Sequence, residues 1–143
     1  MTMDDFISRA LDLAAVKGAS YCDVRLVETN QERFVVRNGV VDTLSNDESI
    51  GIGVRVLVNG TWGFASTNII TAAEIDRTTD LAVEIAKAAA RYAVKPVSLG
   101  APVTSKGTYI TPIDVDPFTI SCLLYTSDAA DDTPCVDLGG RRI

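Results

Sequence analysis

The sequence predicts an α+β fold in which a five-stranded antiparallel meander is flanked by two helices, in the order α-β-β-β-β-β-α. Three observations support this prediction. Two segments have apolar residues at helical spacing, and the segments between them alternate between apolar and polar residues. The Asn-Gly pairs at 38–39 and 59–60 are the commonest signals for two-residue hairpins, and connections this short require antiparallel neighbours.

The two helices are predicted at the beginning and at the end of the domain. The first runs from Thr2 or Met3 to Lys17, and Gly18 ends it. The second begins at the capping box Thr71-Ala-Ala-Glu74 and extends to about Tyr92. Each helix has an apolar stripe that we expect to face the core. The predicted stripes are Phe6, Ala10, Leu13 and Ala14 in the first helix, and Ile75, Thr78, Ala82, Ile85 and Ala89 in the second.

The five strands are predicted at 21–28, 33–37, 40–44, 50–58 and 61–66, with a polar loop at 45–49. The clearest is 50–58, because every second residue is Ile or Val. The opposite side of this strand carries Gly51, Gly53, Arg55 and Leu57. In the first strand, Cys22, Val24 and Leu26 share the apolar side.

The sequence also predicts three regions along the chain. Residues 1–94 form the N-terminal α+β domain, and residues 95–121 form an extended connector with four prolines that leads to a domain missing from this chain. Residues 122–143 have neither helical nor strand periodicity. Their reverse translation resembles two constant pieces of a sequencing-library adapter, so we interpret this tail as non-native. A natural Asp-rich C-terminus is the alternative.

Composition and charge narrow the function. The net charge is −6 and the basic residues are scattered, apart from Arg141 and Arg142, which is unfavourable for binding nucleic acid or anionic membranes. The N-terminus lacks the charge pattern of a signal peptide, and no apolar run approaches the roughly 20 residues that span a bilayer. We therefore predict a cytoplasmic protein that binds neither nucleic acid nor membrane.

The chain contains no histidine. Without imidazole there is no Ser-His-Asp or Cys-His site and no HExxH-type zinc site. Cys122 and Cys135 lie in the suspected tail, and Cys22 is predicted to be a buried structural thiol rather than a nucleophile. We therefore predict no catalytic, cofactor-binding or metal-binding residue in this chain.

Two groups on the strands invite a functional interpretation. Gly51, Gly53 and Gly63 are predicted to leave one sheet face bare for a packed element, a partner domain or an extended peptide, and not to bind phosphate. Arg55 either pairs with an acid on an adjacent strand or binds a carboxylate from another domain. The sequence leaves both alternatives open.

Two further groups have a simple structural interpretation. Asp42, Asp47 and Glu48 are predicted to lie in and around a solvated loop, with acid-base chemistry or divalent-cation binding as the alternatives. Trp62 and Phe64 are predicted to be core residues, because the basic neighbours that accompany nucleic-acid stacking are missing.

Several runs resemble the N-terminal domain of the TldD/PmbA family of metallopeptidases, which are described as modulators of DNA gyrase. The most specific is Gly51-Ile-Gly-Val-Arg-Val-Leu-Val-Asn-Gly-Thr-Trp-Gly-Phe-Ala-Ser-Thr67. The others are Tyr21-Cys-Asp-Val-Arg25, Val36-Arg-Asn-Gly39 and Asp114-Val-Asp-Pro-Phe118, and the resemblance covers residues 4–121. The Trp62-Gly63-Phe64 run is more similar to the TldD side of the family.

The resemblance implies a zinc-dependent cytoplasmic peptidase that works on unfolded or extended peptides as an assembly of two homologous subunits. Family members carry an HExxxH-type helix far downstream, so zinc is expected in a C-terminal part that this chain lacks. The favoured hypothesis is the N-terminal non-catalytic domain of a TldD-like zinc metallopeptidase, lining the substrate chamber and contacting the partner subunit. Alone, this fragment is expected to be inactive.

The alternative is a non-enzymatic interaction module of a PmbA-like partner subunit that lacks the metal motif. An HExxxH motif in the downstream sequence distinguishes the two hypotheses. A free-standing enzyme that depends on Asp42 and Asp47 is a third possibility, which we do not expect.

Overall fold

The computed structural model describes residues 2–38, 40–101, 103 and 105–119. Helix α1 spans Met3–Val16 and helix α2 spans Ala72–Ala90. Between them lie three strands, β1 (Tyr21–Arg37), β2 (Val40–Val58) and β3 (Thr61–Thr67). The strands form one antiparallel sheet in the order β1-β2-β3, and a short 3₁₀ turn at Pro117–Thr119 follows later in the chain.

The prediction of five strands is wrong, because the described sheet has three. The predicted strands at 21–28 and 33–37 are parts of β1, and those at 40–44 and 50–58 are parts of β2. The polar segments at 29–32 and 45–49 are extended, although their composition is typical of loops. Strand pairing uses backbone groups alone, so a long hairpin arm continues through polar residues without a buried face.

The chain divides into two compact units. The first contains the described residues from 2 to 29 and from 48 to 105, and therefore both helices, β3 and the adjoining parts of β1 and β2. The second contains Asn30–Asp47 and the described residues from 106 to 119. The predicted boundaries near 94 and 121 stay predictions. The suspected adapter at 122–143 lies outside the described residues.

Both helices begin at a threonine whose hydroxyl accepts a hydrogen bond from the first turn. Thr2 and Asp5 form a complete capping box, with N···O distances of 2.5 Å and 3.2 Å. At α2, the Thr71 hydroxyl accepts from the Glu74 amide at 3.3 Å, but the Thr71 amide donates to the carbonyl of Ile69. The predicted box at α2 is therefore half formed. No helix in the described part of the chain combines the length and hydrophobicity needed to cross a membrane.

The core lies between the two helices and one face of the sheet. The predicted apolar face of β2 is confirmed, because Ile52, Val54, Val56 and Val58 are at most 2% exposed. The helices cover this face with small and branched side chains, namely Ala10 and Ala14 from α1 and Ile75, Ala82, Val83 and Ala86 from α2.

The predicted stripe of α2 is correct in its first three residues and wrong in its last two. Ile85 is 41% exposed and Ala89 also faces solvent, whereas Thr79, Val83 and Ala86 are buried. Both stripes fit helical spacing, so periodicity does not distinguish them. The close approach of Ala82 and Ala86 to the glycine at position 63 of β3 selects the observed one.

Candidate ligand-binding groove

The register of β2 and β3 determines which side chains point away from the helices. Arg55 pairs with Phe64 and Leu57 pairs with Trp62, while the intervening pair is Val56 with Gly63. Because successive residues of a strand point to opposite faces, Phe64 and Trp62 share the face of Arg55. Gly63 lies on the face that packs against α2.

Gly63 therefore corrects the prediction that three glycines leave the same face bare. A Cβ atom on Gly63 would lie 2.0 Å from the carbonyl oxygen of Ala82 and 2.7 Å from the amide nitrogen of Ala86. Only glycine allows the backbones of α2 and β3 to approach this closely. Gly51 and Gly53 remain on the opposite side of the sheet.

An open groove of about 730 Å³ runs along this opposite side, over the neighbouring parts of all three strands. It lies within the first compact unit. Its lining residues are Asp23, Arg25 and Val27 from β1, Gly51, Ile52, Gly53 and Arg55 from β2, and Phe64, Ser66, Thr67 and Asn68 from β3 and the residue after it.

Glycine at position 53 makes room for an aromatic wall. A Cβ atom there would lie 3.1 Å from Cε2 of the Phe64 ring, which is tighter than ordinary van der Waals contact. At Gly51 the nearest atom would be the carbonyl oxygen of Thr67, at an unstrained 3.6 Å. The ring of Phe64 rests over the bare backbone of Gly53 and is still 58% exposed.

An ion pair between β2 and β1 stands at the side of the groove. Arg55 donates to Oδ2 of Asp23 from Nε at 2.7 Å and from Nη2 at 2.6 Å. Hydrogen bonding to Asp23, and then the charge of that carboxylate, raise the pKa of Arg55 above its usual value. The structure therefore shows the first alternative for Arg55, an acid on an adjacent strand.

A second arginine lies near the same carboxylate. Nε of Arg25 is 3.6 Å from Oδ1 of Asp23, and the Arg25 side chain is 72% exposed. The Asp23 side chain is only 21% exposed. The two oxygens of Asp23 thus lie near two different guanidinium groups, and the hydrogen-bonded one, on Arg55, is held in place.

The Trp62 ring also contacts the guanidinium of Arg55. Its Cζ atom lies 4.9 Å from the centroid of the Trp62 ring, a cation–π contact, and Tyr21 meets Trp62 edge to face at 5.7 Å. The prediction that Trp62 and Phe64 are core residues is wrong, because they are 36% and 58% exposed. Their apolar character suggested burial, but the strand register turns both of them away from the helices.

Cys22 lies on the core side of β1, partly buried with Val24 and Leu26. Burial, and secondarily the charge of Asp23, raise the pKa of its thiol to about 11. A thiol in this state is mostly protonated at neutral pH and is a poor nucleophile. This environment supports the predicted structural role.

The acidic residues predicted to lie around a loop belong to β2 instead. Asp42 is 3.3 Å from Nε of Arg37, and Asp47 and Glu48 are exposed on the extended strand. Within residues 2–38, 40–101, 103 and 105–119, no group of three or more Cys, Asp or Glu side chains is arranged to hold a metal ion.

Comparisons with known proteins agree with the resemblance in the sequence. Residues 22–86 match the PmbA/TldA metallopeptidase domain 1. The chain is similar to the metalloprotease MJ0996 of Methanocaldococcus jannaschii, with 29% identity over 79 residues, which are 55% of this chain and 18% of that protein. Its fold is similar to the crystal structure of TldE from Thermococcus kodakarensis, with a TM-score of 0.54 and 13% identity, over 76% of this chain and 23% of that one.

The chain thus spans less than a quarter of either relative. The segment that matches the family domain runs from Cys22 in β1 to Ala86 in α2 and contains every residue that lines the groove. Together these findings support an N-terminal domain of the TldD/PmbA type in this chain.

Proposed function

We propose that this chain is the N-terminal, non-catalytic domain of a TldD-like zinc metallopeptidase that acts on extended peptides in the cytoplasm. In this proposal the domain lines the substrate chamber and contacts a homologous partner subunit. The family match and the relative named as a metalloprotease support the peptidase assignment. The observation that carries the role of the domain is the asymmetry of its sheet, with helices packed on one face and an open groove on the other.

The chemistry of the groove is suited to binding. Its side chains offer guanidinium, hydroxyl and amide groups and an aromatic ring, and its one carboxylate, on Asp23, is engaged by Arg55. The absence of a side chain at Gly51 lets an extended chain approach the sheet there, beside the Phe64 ring that lies over Gly53. Zinc and the catalytic residues are proposed for a C-terminal part of the parent protein, because this chain contains no imidazole to ligate the metal.

The test begins with the uninterrupted gene beyond the codon of Ser121. We expect it to encode an HExxxH motif, and the complete protein to bind zinc and cleave an unstructured peptide when it is purified with its partner subunit. Chelation should abolish the cleavage and added zinc should restore it. Replacing the motif glutamate by glutamine is the matched control, because it preserves the metal ligands but removes the general base. A complete protein that carries the motif and hydrolyses no peptide with its partner present would refute the proposal.

The second candidate is a non-enzymatic module of a PmbA-like partner subunit. The fold similarity to TldE is the observation that favours it. This candidate requires a downstream sequence without HExxxH and a stable complex with a subunit that does carry the motif. Zinc in the isolated complete subunit would contradict it.

A further inference from the structure

We propose that the groove binds a carboxylate of an extended peptide, an Asp or Glu side chain, between Arg25 and Arg55. This inference rests on the proposed function, because it takes a peptide as the ligand and specifies which peptides the groove selects. Three features of the groove carry it, namely its charge, the arrangement of its arginines and its shape.

The charge of the groove is opposite to that of the chain. Its ionisable residues are Arg25, Arg55 and Asp23, which sum to +2 − 1 = +1, whereas the whole chain carries −6. Placing a positive groove in an acidic protein favours an anionic ligand locally, and repulsion from the remaining surface disfavours non-specific anion binding.

One arginine is oriented before a ligand arrives, and the other is exposed beside it. Asp23 and the Trp62 ring hold the guanidinium of Arg55 in place. Arg25 is 3.6 Å from Asp23, beyond hydrogen-bonding distance, and is 72% exposed. Its exposed guanidinium is therefore accessible to a ligand. Guanidinium groups bind carboxylates in a planar, two-bond geometry.

The shape of the groove suits an extended backbone beside that carboxylate. Gly51 and Gly53 contribute no side chains to its floor, and the exposed ring of Phe64 offers an apolar contact. Ser66 and Asn68 add hydroxyl and amide groups at the β3 end. A peptide that crosses the glycines in extended form would alternate its side chains between the groove and solvent. Every second side chain then faces the groove, and an acidic one among them reaches the arginines.

The experiment titrates the isotope-labelled chain with the peptide acetyl-Ala-Val-Glu-Val-Ala-amide and with its Gln counterpart, followed by NMR. We expect amide shifts at Gly51 and Gly53, and about fivefold tighter binding of the Glu peptide, as for a partly exposed charge pair. The preference should decrease when the salt concentration is raised from about 0.05 M to about 0.5 M, because screening shortens the range of the attraction.

The decisive variant is Arg25→Gln, which removes the available cation and leaves the Arg55–Asp23 pair intact. Arg37→Gln is its matched control, because Arg37 is 75% exposed and lies 3.3 Å from a carboxylate but does not line the groove. Arg25→Gln should abolish the preference for Glu over Gln, and Arg37→Gln should preserve it. Circular dichroism confirms that both variants are folded.

Three results would overturn the inference: equal binding of the two peptides, no shift at Gly51 and Gly53 at millimolar peptide, or equal loss of preference in both variants. These outcomes are separate from those of the peptidase assay. A complete protein that cleaves peptides while its groove ignores the carboxylate retains the proposed function without this specificity. If the groove prefers the Glu peptide but the complete protein cleaves no peptide, the binding specificity stands and the proposed peptidase function fails.

Discussion

The tightest contact between the sheet and α2 is at Gly63, and the substitution Gly63→Ala tests it. The added Cβ would lie 2.0 Å from the oxygen of Ala82 and 2.7 Å and 2.9 Å from the amide nitrogen and Cβ of Ala86. Ordinary non-bonded contacts are about 3.5–4.0 Å. Two of these three atoms belong to the helix backbone, so no side-chain rotation relieves the overlap, and α2 or β3 must move.

The magnitude follows from two opposing terms. Overpacking of a dense core costs about 1–3 kcal/mol, and the backbone overlap at Gly63 places this substitution at the upper end. Replacing Gly by Ala restricts the unfolded chain and returns about 0.4–1 kcal/mol. We therefore expect the free energy of unfolding to decrease by about 2 kcal/mol, which lowers Tm by about 8–16 °C in a domain of this size.

Urea denaturation, followed by the fluorescence of the single tryptophan, Trp62, and by circular dichroism, measures this change. Gly51→Ala is the matched control, because its Cβ would meet only the oxygen of Thr67 at 3.6 Å. Its free energy of unfolding should change by less than about 0.5 kcal/mol. If Gly63→Ala unfolds at the same urea concentration as the unsubstituted chain, the close approach of α2 to β3 is wrong.

Three further predictions concern the core and the titratable groups. Ile75→Ala should lower the free energy of unfolding, measured by urea denaturation, by about 3 kcal/mol because Ile75 is 0% exposed. Ile85→Ala should lower it by less than about 1 kcal/mol, because Ile85 is 41% exposed. Similar decreases in the two variants would contradict the observed stripe of α2. Alkylation of Cys22 at pH 8, measured by peptide mass spectrometry, should be about a hundredfold slower in the folded chain than in urea. The reason is that the pKa of the Cys22 thiol in the folded chain is about 11. Equal alkylation rates would refute the burial of this thiol. Asp76→Asn should slightly lower Tm at pH 7, because the Arg9 guanidinium donates to both oxygens of Asp76 at 2.6 Å and lowers the pKa of that carboxyl. Because folding lowers the pKa of this carboxyl, the ion pair stabilises the fold at pH values above the unfolded pKa of about 3.9. The difference in Tm between the two proteins should therefore disappear as the pH falls through the folded pKa. A difference that persists in acid would exclude the ion pair as its cause.

Local features of the chain were predictable because local interactions produce them. Helix α1 begins at the capping box of Thr2 and Asp5 and ends next to Gly18. Asn59 has the positive φ of 50° that its hairpin requires. The alternation of β2 predicted which of its faces is buried, because a strand of Ile and Val at every second position has one way to exclude them from water. The family resemblance also rests on such short runs.

The candidate site was predictable only in part. Arg55 stood out as a charged residue in an apolar strand, and Gly51 and Gly53 stood out as positions without side chains. All three line the groove. Asp23 was missed, although its place among alternating residues of β1 put it on the polar face. The signal that identifies it is its pairing across strands with Arg55, and single-strand periodicity contains no information about cross-strand neighbours.

Contacts between distant residues settled the remaining features. The polar segments joined β1 and β2 into long strands because backbone pairing does not depend on side-chain polarity. The stripe of α2 was selected by the space at Gly63, and the exposure of Trp62 and Phe64 by the register with β2. Composition and spacing predict which residues prefer burial. A face of the sheet is buried only where another element packs against it, and single-chain patterns do not show which face that is. Here the helices cover one face of the sheet, and the aromatic residues lie on the other.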